Sequence, residues 1–470
     1  MLDDDALLNI FYLYGLDVWD EENDDDFSVG KFHWKGAHWW YKLAHVCRRW
    51  RRLIFASPVH IGAHLLCTHG MPVARMLAHS PPLPIIIYYM GNVGKTTVED
   101  EDEEDILLAL QYPDRVRRIG LSVPAANLLR PLRAIDQEFP ILERLFITPL
   151  AVSTTSLVLP RSFHAPHLRR LVLSRVAIQI GSPLLTTAVG LVTLKLAYIP
   201  PSAYFDPGCL LAWLSLMPRL EILAVDFHSD EPNRVAEGQL LDTPMMAHVS
   251  LPCLRMFAFQ GESVYLGRLL ARIRAPALGQ LRIESFTPST LPQLSQFMGA
   301  TNNLRFDAVR LKFLRDAFEI ALTDDSRGEG WTDPFRMRIR CGHLDVQLAS
   351  AVQIFRELWS SLFVVVKLIL DYEVLSPWLD WREEVDRTLW RELLRPFSHV
   401  KTLRAEDGLL RGGKLLRSLH SDNGEPPLGL LPELKQLVSR GGVGYHDAET
   451  ISFLNARQTA GVPVTLVYEQ

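Results

Sequence analysis

Phe139-Pro140-Ile141-Leu142-Glu143-Arg144-Leu145 is one copy of a phrase that this chain repeats. It returns as Ala165-Pro166-His167-Leu168-Arg169-Arg170-Leu171, as Met217-Pro218-Arg219-Leu220-Glu221-Ile222-Leu223 and as Leu251-Pro252-Cys253-Leu254-Arg255-Met256-Phe257. Two further copies are Ala275-Pro276-Ala277-Leu278-Gly279-Gln280-Leu281 and Leu431-Pro432-Glu433-Leu434-Lys435-Gln436-Leu437. In each, the proline predicts the end of a helix, and a Leu-x-x-Leu or Leu-x-x-Phe step opens a strand. The first leucines stand at 142, 168, 191, 220, 254, 278 and 304, at intervals of 26, 23, 29, 34, 24 and 26 residues. Such an interval holds one strand and one helix.

Outward from these phrases the same alternation runs from Pro58 to the last residues. Extended stretches are expected at 60–67, 83–89, 116–123, 142–148, 168–174, 191–197, 220–227, 254–260, 278–286, 306–313, 335–341, 364–372, 400–405, 434–439 and 462–468. Helical stretches are expected at 73–79, 105–111, 128–138, 209–216, 264–273, 345–359, 381–394 and 448–460. Most intervals fall in the range of about 20–29 residues of leucine-rich repeats. The expected fold is therefore α/β: stacked strand–helix repeats forming a solenoid with a curved parallel sheet. The Asn or Cys usual eight residues past the first leucine is replaced by Leu150, Val176, Ile199, His228, Glu262 and Phe286, so the repeats should be irregular.

The N-terminus reads differently. Leu7, Leu8, Ile10 and Phe11 follow Asp3-Asp4-Asp5 with helical spacing, predicting a helix over about 4–14 ended by Gly15. Leu43, Val46, Cys47, Trp50, Leu53 and Ile54 recur at helical intervals beside the basic Arg48, Arg49, Arg51 and Arg52; a second and a third helix are expected between Trp39 and Phe55, and Ser57-Pro58 stops them. Between the two lies an acidic insert, 17–37, expected as a solvated loop. The expected domains are a helical module over 1–58 and a repeat array over 59–470.

Composition narrows the function classes. Hydrophobic residues make up 48% and charged residues 22%, as in a globular protein. Forty-nine Lys and Arg against 54 Asp and Glu leave a net charge of −5, which argues against nucleic acid as the main partner. The five cysteines, at 47, 67, 209, 253 and 341, contain no C-x-x-C pair, so a reducing intracellular compartment, cytoplasmic or nuclear, is expected. An acidic start and the lack of an apolar run near 18 residues argue against a signal peptide and a membrane span.

Candidate chemistry is sparse. Gly94-Lys95-Thr96 has only two residues between Gly91 and Gly94, where a phosphate-wrapping loop needs four, and it precedes the acidic run from Glu99. A nucleotide site there is the one concrete enzymatic reading, and a surface loop is preferred. His60, His64 and Cys67 would share a helical face, but the segment reads as a strand, which separates them. There is no Gly-x-Ser-x-Gly elbow and no His-Glu-x-x-His. No catalytic residue, metal or cofactor is expected.

Leu2-Asp3-Asp4-Asp5-Ala6-Leu7-Leu8-Asn9-Ile10-Phe11 together with Leu43-Ala44-His45-Val46-Cys47-Arg48-Arg49-Trp50 resembles an F-box. The whole chain is similar to F-box proteins with irregular leucine-rich repeats of mushroom-forming fungi, with Phe453-Leu454-Asn455-Ala456-Arg457-Gln458-Thr459-Ala460-Gly461 the second specific block. The resemblance implies a three-helix F-box docking on a Skp-type adaptor, and through it on a cullin, as the non-catalytic substrate receptor of a ubiquitin ligase. Carried over by position, the adaptor-binding residues would be Leu2, Leu7, Leu8, Ile10, Phe11, Val46, Cys47 and Trp50. An unidentified protein substrate would then meet outward side chains of the sheet. In the Leu-x-x-Leu-x-Leu frame these are Arg144, Phe146, Lys195, Asp226, Gln260, Arg282 and Glu284. The alternative is a protein-binding repeat scaffold with no ubiquitin role.

Overall fold

The computed structural model describes residues 2–16, 39–57, 63–90, 100–150, 157–227, 248–286, 291–301, 303–304, 306–324, 333–358, 362, 364–372, 387–410, 414–419, 429–440 and 448–469. The acidic insert, His60 and the Gly94-Lys95-Thr96 loop lie outside these residues. Two compact units form, Met1–Ala203 and Tyr204–Gln470.

The first unit opens with helices α1 (Asp4–Leu16), α2 (Trp39–Ala44) and α3 (Arg48–Ala56). Asp3 caps α1, its Oδ1 accepting from the Ala6 N–H at 2.7 Å. Cys47 caps α3, its Sγ accepting from the Trp50 N–H at 3.4 Å. Helix α1 continues one residue past the expected stop at Gly15.

Strands β1 (Leu65–Cys67), β2 (Ile85–Met90), β3 (Val116–Val123), β4 (Arg144–Pro149), β6 (Arg170–Ser174) and β8 (Thr193–Ile199) follow, each parallel to the next. Two-residue strands β5 (Leu157–Val158) and β7 (Val176–Ala177) pair separately. Helices Val73–His79, Asp100–Leu110, Ala125–Ala134 and Pro183–Thr187 lie between the strands in sequence. The apolar positions align across the sheet: Ile119 beside Leu145, Leu145 beside Leu171, Leu171 beside Leu194, all buried.

The repeated phrase is a turn. The Leu142, Leu168, Leu220, Leu254, Leu278 and Leu434 N–H groups each donate to the carbonyl three residues back, at 3.1–3.3 Å. Proline thus occupies the second position of a β-turn, where its fixed φ fits, and the strand begins about two residues after the leucine. Each of these first leucines is fully buried. One repeat hands over to the next through the backbone: the Glu143 N–H donates to Arg117 O, and the Arg169 N–H to Glu143 O.

In the second unit, β9 (Ile222–Phe227), β11 (Met256–Gly261) and β13 (Gln280–Ser285) continue the parallel pattern, and β10 (Val249–Ser250) pairs with β12 (Ile273–Arg274). The expectation of an all-parallel sheet then fails. Strands β14 (Ala308–Phe313), β15 (Ala317–Thr323) and β16 (Phe335–Arg340) form an antiparallel meander, placed so that β13 pairs with β16 and β14 with β17 (Lys367–Tyr372). The cause is the three-residue link Leu314-Arg315-Asp316, too short for a parallel crossover, which takes a dozen residues or more. Parallel pairing resumes through β18 (Thr402–Glu406), β19 (Gln436–Arg440) and β20 (Thr465–Glu469). The described residues of this unit hold helices Pro207–Ser215, Ser263–Leu270, Pro292–Gly299, Leu344–Glu357, Arg387–Leu394, Asp407–Leu410, Lys414–Leu419 and Ala448–Thr459.

The C-terminal block Phe453–Gly461 is explained by packing. Arg457 is buried, and its guanidinium donates to Leu431 O at 2.7 Å, tying the last helix to the turn before β19. Its carbon Cζ lies 5.8 Å from the ring centre of Phe453, which is also buried. Gly461 ends the helix at φ +77°, the left-handed geometry that glycine adopts without strain.

Burial separates the five cysteines. Cys47 and Cys253 are exposed, whereas burial pushes the Cys67 thiol up to about 12 and those of Cys209 and Cys341 up to about 11. At pH 8 only about one in ten thousand Cys67 side chains is the reactive thiolate. A thiol reagent at pH 8 should therefore modify Cys47 and Cys253 first and Cys67 only after denaturant is added. Rapid labelling of all five in the native chain would contradict this packing.

Candidate functional site

The residues singled out in the sequence fall in two groups. The first lies on the N-terminal helices. Leu7, Leu8 and Phe11 fall on one side of α1 and are buried; the Phe11 ring meets Trp50 edge-on with centroids 4.8 Å apart. Arg49 links the same helices, donating to Asp4 Oδ1 at 2.6 Å and to Leu2 O at 2.8 Å. Trp40 is buried, and its indole N–H donates to His64 O at 3.0 Å, joining the module to the first repeat.

The other side of α1 is also apolar. Ile10, Leu13 and Tyr14, spaced i, i+3, i+4, are 47%, 60% and 49% exposed, and Leu2 and Val46 are 55% and 58% exposed. Two helices were expected between Trp39 and Phe55, and the apolar rhythm from Leu43 to Ile54 is divided between them. The helix stops at Ala44 and restarts at Arg48, so Val46 and Cys47 sit in the exposed turn while Trp40, Ala44 and Ile54 take the buried places. Of the eight carried-over docking residues, Leu2, Ile10, Val46 and Cys47 are thus exposed and Trp50 half-buried; Leu7, Leu8 and Phe11 are interior. The interior three build the module and offer no surface. Leu13 and Tyr14 were not singled out in the sequence, although their spacing from Ile10 carried the signal.

The second group lies on strands of both units, on the side of each strand opposite its leucines. The expected phase is correct on β4 and β13: Leu145 and Ile147, like Leu281 and Ile283, are buried, whereas Arg144, Phe146, Arg282 and Glu284 are half-exposed. Gln260 is half-exposed as well. Lys195 in the first unit and Asp226 in the second each lie on the leucine-free side of their own strand but are buried, at 8% and 3% exposed, so they offer less surface than the sequence frame implied.

The two units load this side differently. In the second unit, cations face anions across the strands. Arg336 meets Glu319 at 3.0 Å, Arg340 meets Glu284 at 3.0 Å, Arg404 meets Glu469 at 2.9 Å and Arg310 meets Asp371 at 3.6 Å. In the first unit, Arg118, Arg144 and Arg170 stand directly beside one another on β3, β4 and β6. The next row holds Tyr88, Gly120, Phe146, Val172 and Lys195. Gly120 is dictated by its neighbour, since a Cβ there would come within 2.9 Å of the Tyr88 ring.

Elsewhere, His64 and Cys67 are buried at the first strand, and His69 Nδ1 approaches Asp102 Oδ2 at 2.7 Å. Among the described residues no three His, Cys, Asp or Glu side chains gather as a metal site. No described helix is long and apolar enough to cross a membrane.

No protein-family model matches the chain, and no curated protein matches it. Among solved structures it is similar to the leucine-rich repeat-containing protein LegL7 from Legionella pneumophila, at 12% identity and a TM-score of 0.23, over 80% of this chain and 98% of that one.

Proposed function

We propose that this chain is a two-surface protein-binding receptor whose N-terminal helices dock on a Skp-type adaptor and whose sheet holds a protein substrate for ubiquitin transfer. The observation that carries the reading is the double-sided apolarity of α1. Leu7, Leu8 and Phe11 are used inside the module, while Ile10, Leu13 and Tyr14 remain at the surface. An amphipathic helix ordinarily buries one apolar stripe, so a second, exposed stripe calls for a partner. A groove that receives i, i+3, i+4 anchors is a common way of covering such a stripe. Receptor action needs no chemistry from this chain; holding a substrate beside a ubiquitin-charged enzyme raises the effective concentration.

The test is capture of the purified full chain on an immobilised Skp-type adaptor, with Ile10→Asp and Val46→Asp beside the wild type. Both positions are exposed, so the variants should fold. The reading expects wild-type capture and at least a tenfold loss in each variant. Absence of capture by the folded wild type removes the ubiquitin role and leaves a repeat scaffold.

A further inference from the structure

The charged residues on the described strands of the first unit are of one sign. Every charged residue on β1 to β8 is basic: Arg117, Arg118, Arg144, Arg170 and Lys195. Arg117, at a register shift beside β2, is neutralised by Glu143 at 3.0 Å. The other four share the leucine-free side, three of them in one register row. Neighbouring strands lie about 4.8 Å apart, so this row places three guanidinium-bearing side chains within about 10 Å. Like charges directly opposite one another on a sheet are destabilising. In the second unit Arg282 likewise stands beside Arg336, but acidic side chains lie among the strand cations there, whereas the charged residues on the first unit's strands are all basic.

We infer that the Arg118–Arg144–Arg170 row, with Lys195 and the adjoining Tyr88, Phe146 and Val172, binds an acidic segment of a partner protein that carries apolar residues between its carboxylates. This rests on reading the sheet as the partner-binding side. Each of the four cations already takes part in polar or electrostatic interactions, so the inference rests on the sign and spacing of the row. The charges are half-buried or buried, which weakens solvent screening and strengthens attraction to an anion. The apolar row lies one pleat further along the same side, beside the arginines. A segment with both acidic and apolar side chains matches both rows, and a purely anionic polymer matches one. Nucleic acid is disfavoured by the small number of cations and by the net charge of −5, because its affinity grows with the phosphates neutralised.

The experiment measures fluorescence anisotropy of a labelled peptide of alternating Glu and Leu with the full chain. A Gln-for-Glu version and a thymidine oligonucleotide of similar length are the comparison probes. The acidic peptide should bind at least tenfold more tightly than the Gln version, and its binding should weaken with salt. Arg144→Gln/Arg170→Gln should lose at least tenfold, Arg144→Gln alone should lose a few-fold, and Arg310→Gln in the second unit should match the wild type. Folding is checked by circular dichroism, and the single substitution decides the matter if the double variant unfolds. Equal affinity for the two peptides, wild-type affinity in the row variants, no binding by the folded chain, or preference for the oligonucleotide would each overturn the inference. Adaptor capture is read separately. Row variants that keep the peptide affinity while the adaptor still binds sink only this inference; peptide binding without adaptor capture sinks only the ubiquitin role.

Discussion

Phe335→Ala should lower stability by about 3–5 kcal/mol, the usual cost of removing a fully buried aromatic ring. Phe335 has no exposed surface and stands where the sheet changes direction, beside Leu281 on parallel β13 and Leu322 on antiparallel β15. Both neighbours are fully buried, and the Leu281 N–H donates to Pro334 O at 2.8 Å, so little freedom remains for the site to collapse around the lost ring. In a repeat array each unit leans mainly on its neighbours, so damage at this junction weakens coupling between the strands before and after it. Urea unfolding followed by circular dichroism checks the loss. A change below about 1 kcal/mol would mean that the ring is not packed as described.

Phe11→Ala should cost a similar amount, about 3–5 kcal/mol, but only within the N-terminal helices. Phe11 is 1% exposed and packs edge-on against Trp50, a geometry that adds about 0.5–1.5 kcal/mol beyond simple burial. Ile10, one residue earlier, is 47% exposed, and Ile10→Ala should change stability by no more than about 0.5 kcal/mol. Hydrogen exchange resolved by segment separates the cases. In Phe11→Ala, 4–16 and 48–56 should lose protection while the strands keep theirs. Equal effects from the two substitutions would show that α1 does not have an inner and an outer side.

Much of this architecture was legible because the leucine phrase is local. A proline fixes φ, the leucine three residues after the turn's first residue is buried, and the strand follows; these depend on neighbouring residues. The strand–helix alternation and the phase of Arg144, Phe146, Arg282 and Glu284 came from that pattern. Direction of pairing did not. Ala317–Thr323, absent from the expected strands, alternates Phe318, Ile320 and Leu322 like its neighbours, and only the shortness of Leu314-Arg315-Asp316 marks the reversal. The docking residues were half legible. Helical spacing identified Leu7, Leu8, Ile10 and Phe11 as a set, but cannot say which side of a helix apolar on two sides turns inward. The break at 45–47, which exposes Val46, depends on Cys47 acting as a cap. The basic row depends on register between strands that lie 26 residues apart in sequence, Arg118 to Arg144 to Arg170, and one strand alone gives no sign of it.

The most direct measurement is deuterium uptake of the full chain with and without a Skp-type adaptor, resolved to short peptides. The account predicts added protection at 2–14 and around 41–50, where Leu2, Ile10, Leu13, Tyr14 and Val46 are exposed, with the sheet strands unchanged. Protection confined to the strands, or unchanged uptake across the N-terminal helices at saturating adaptor, would contradict it.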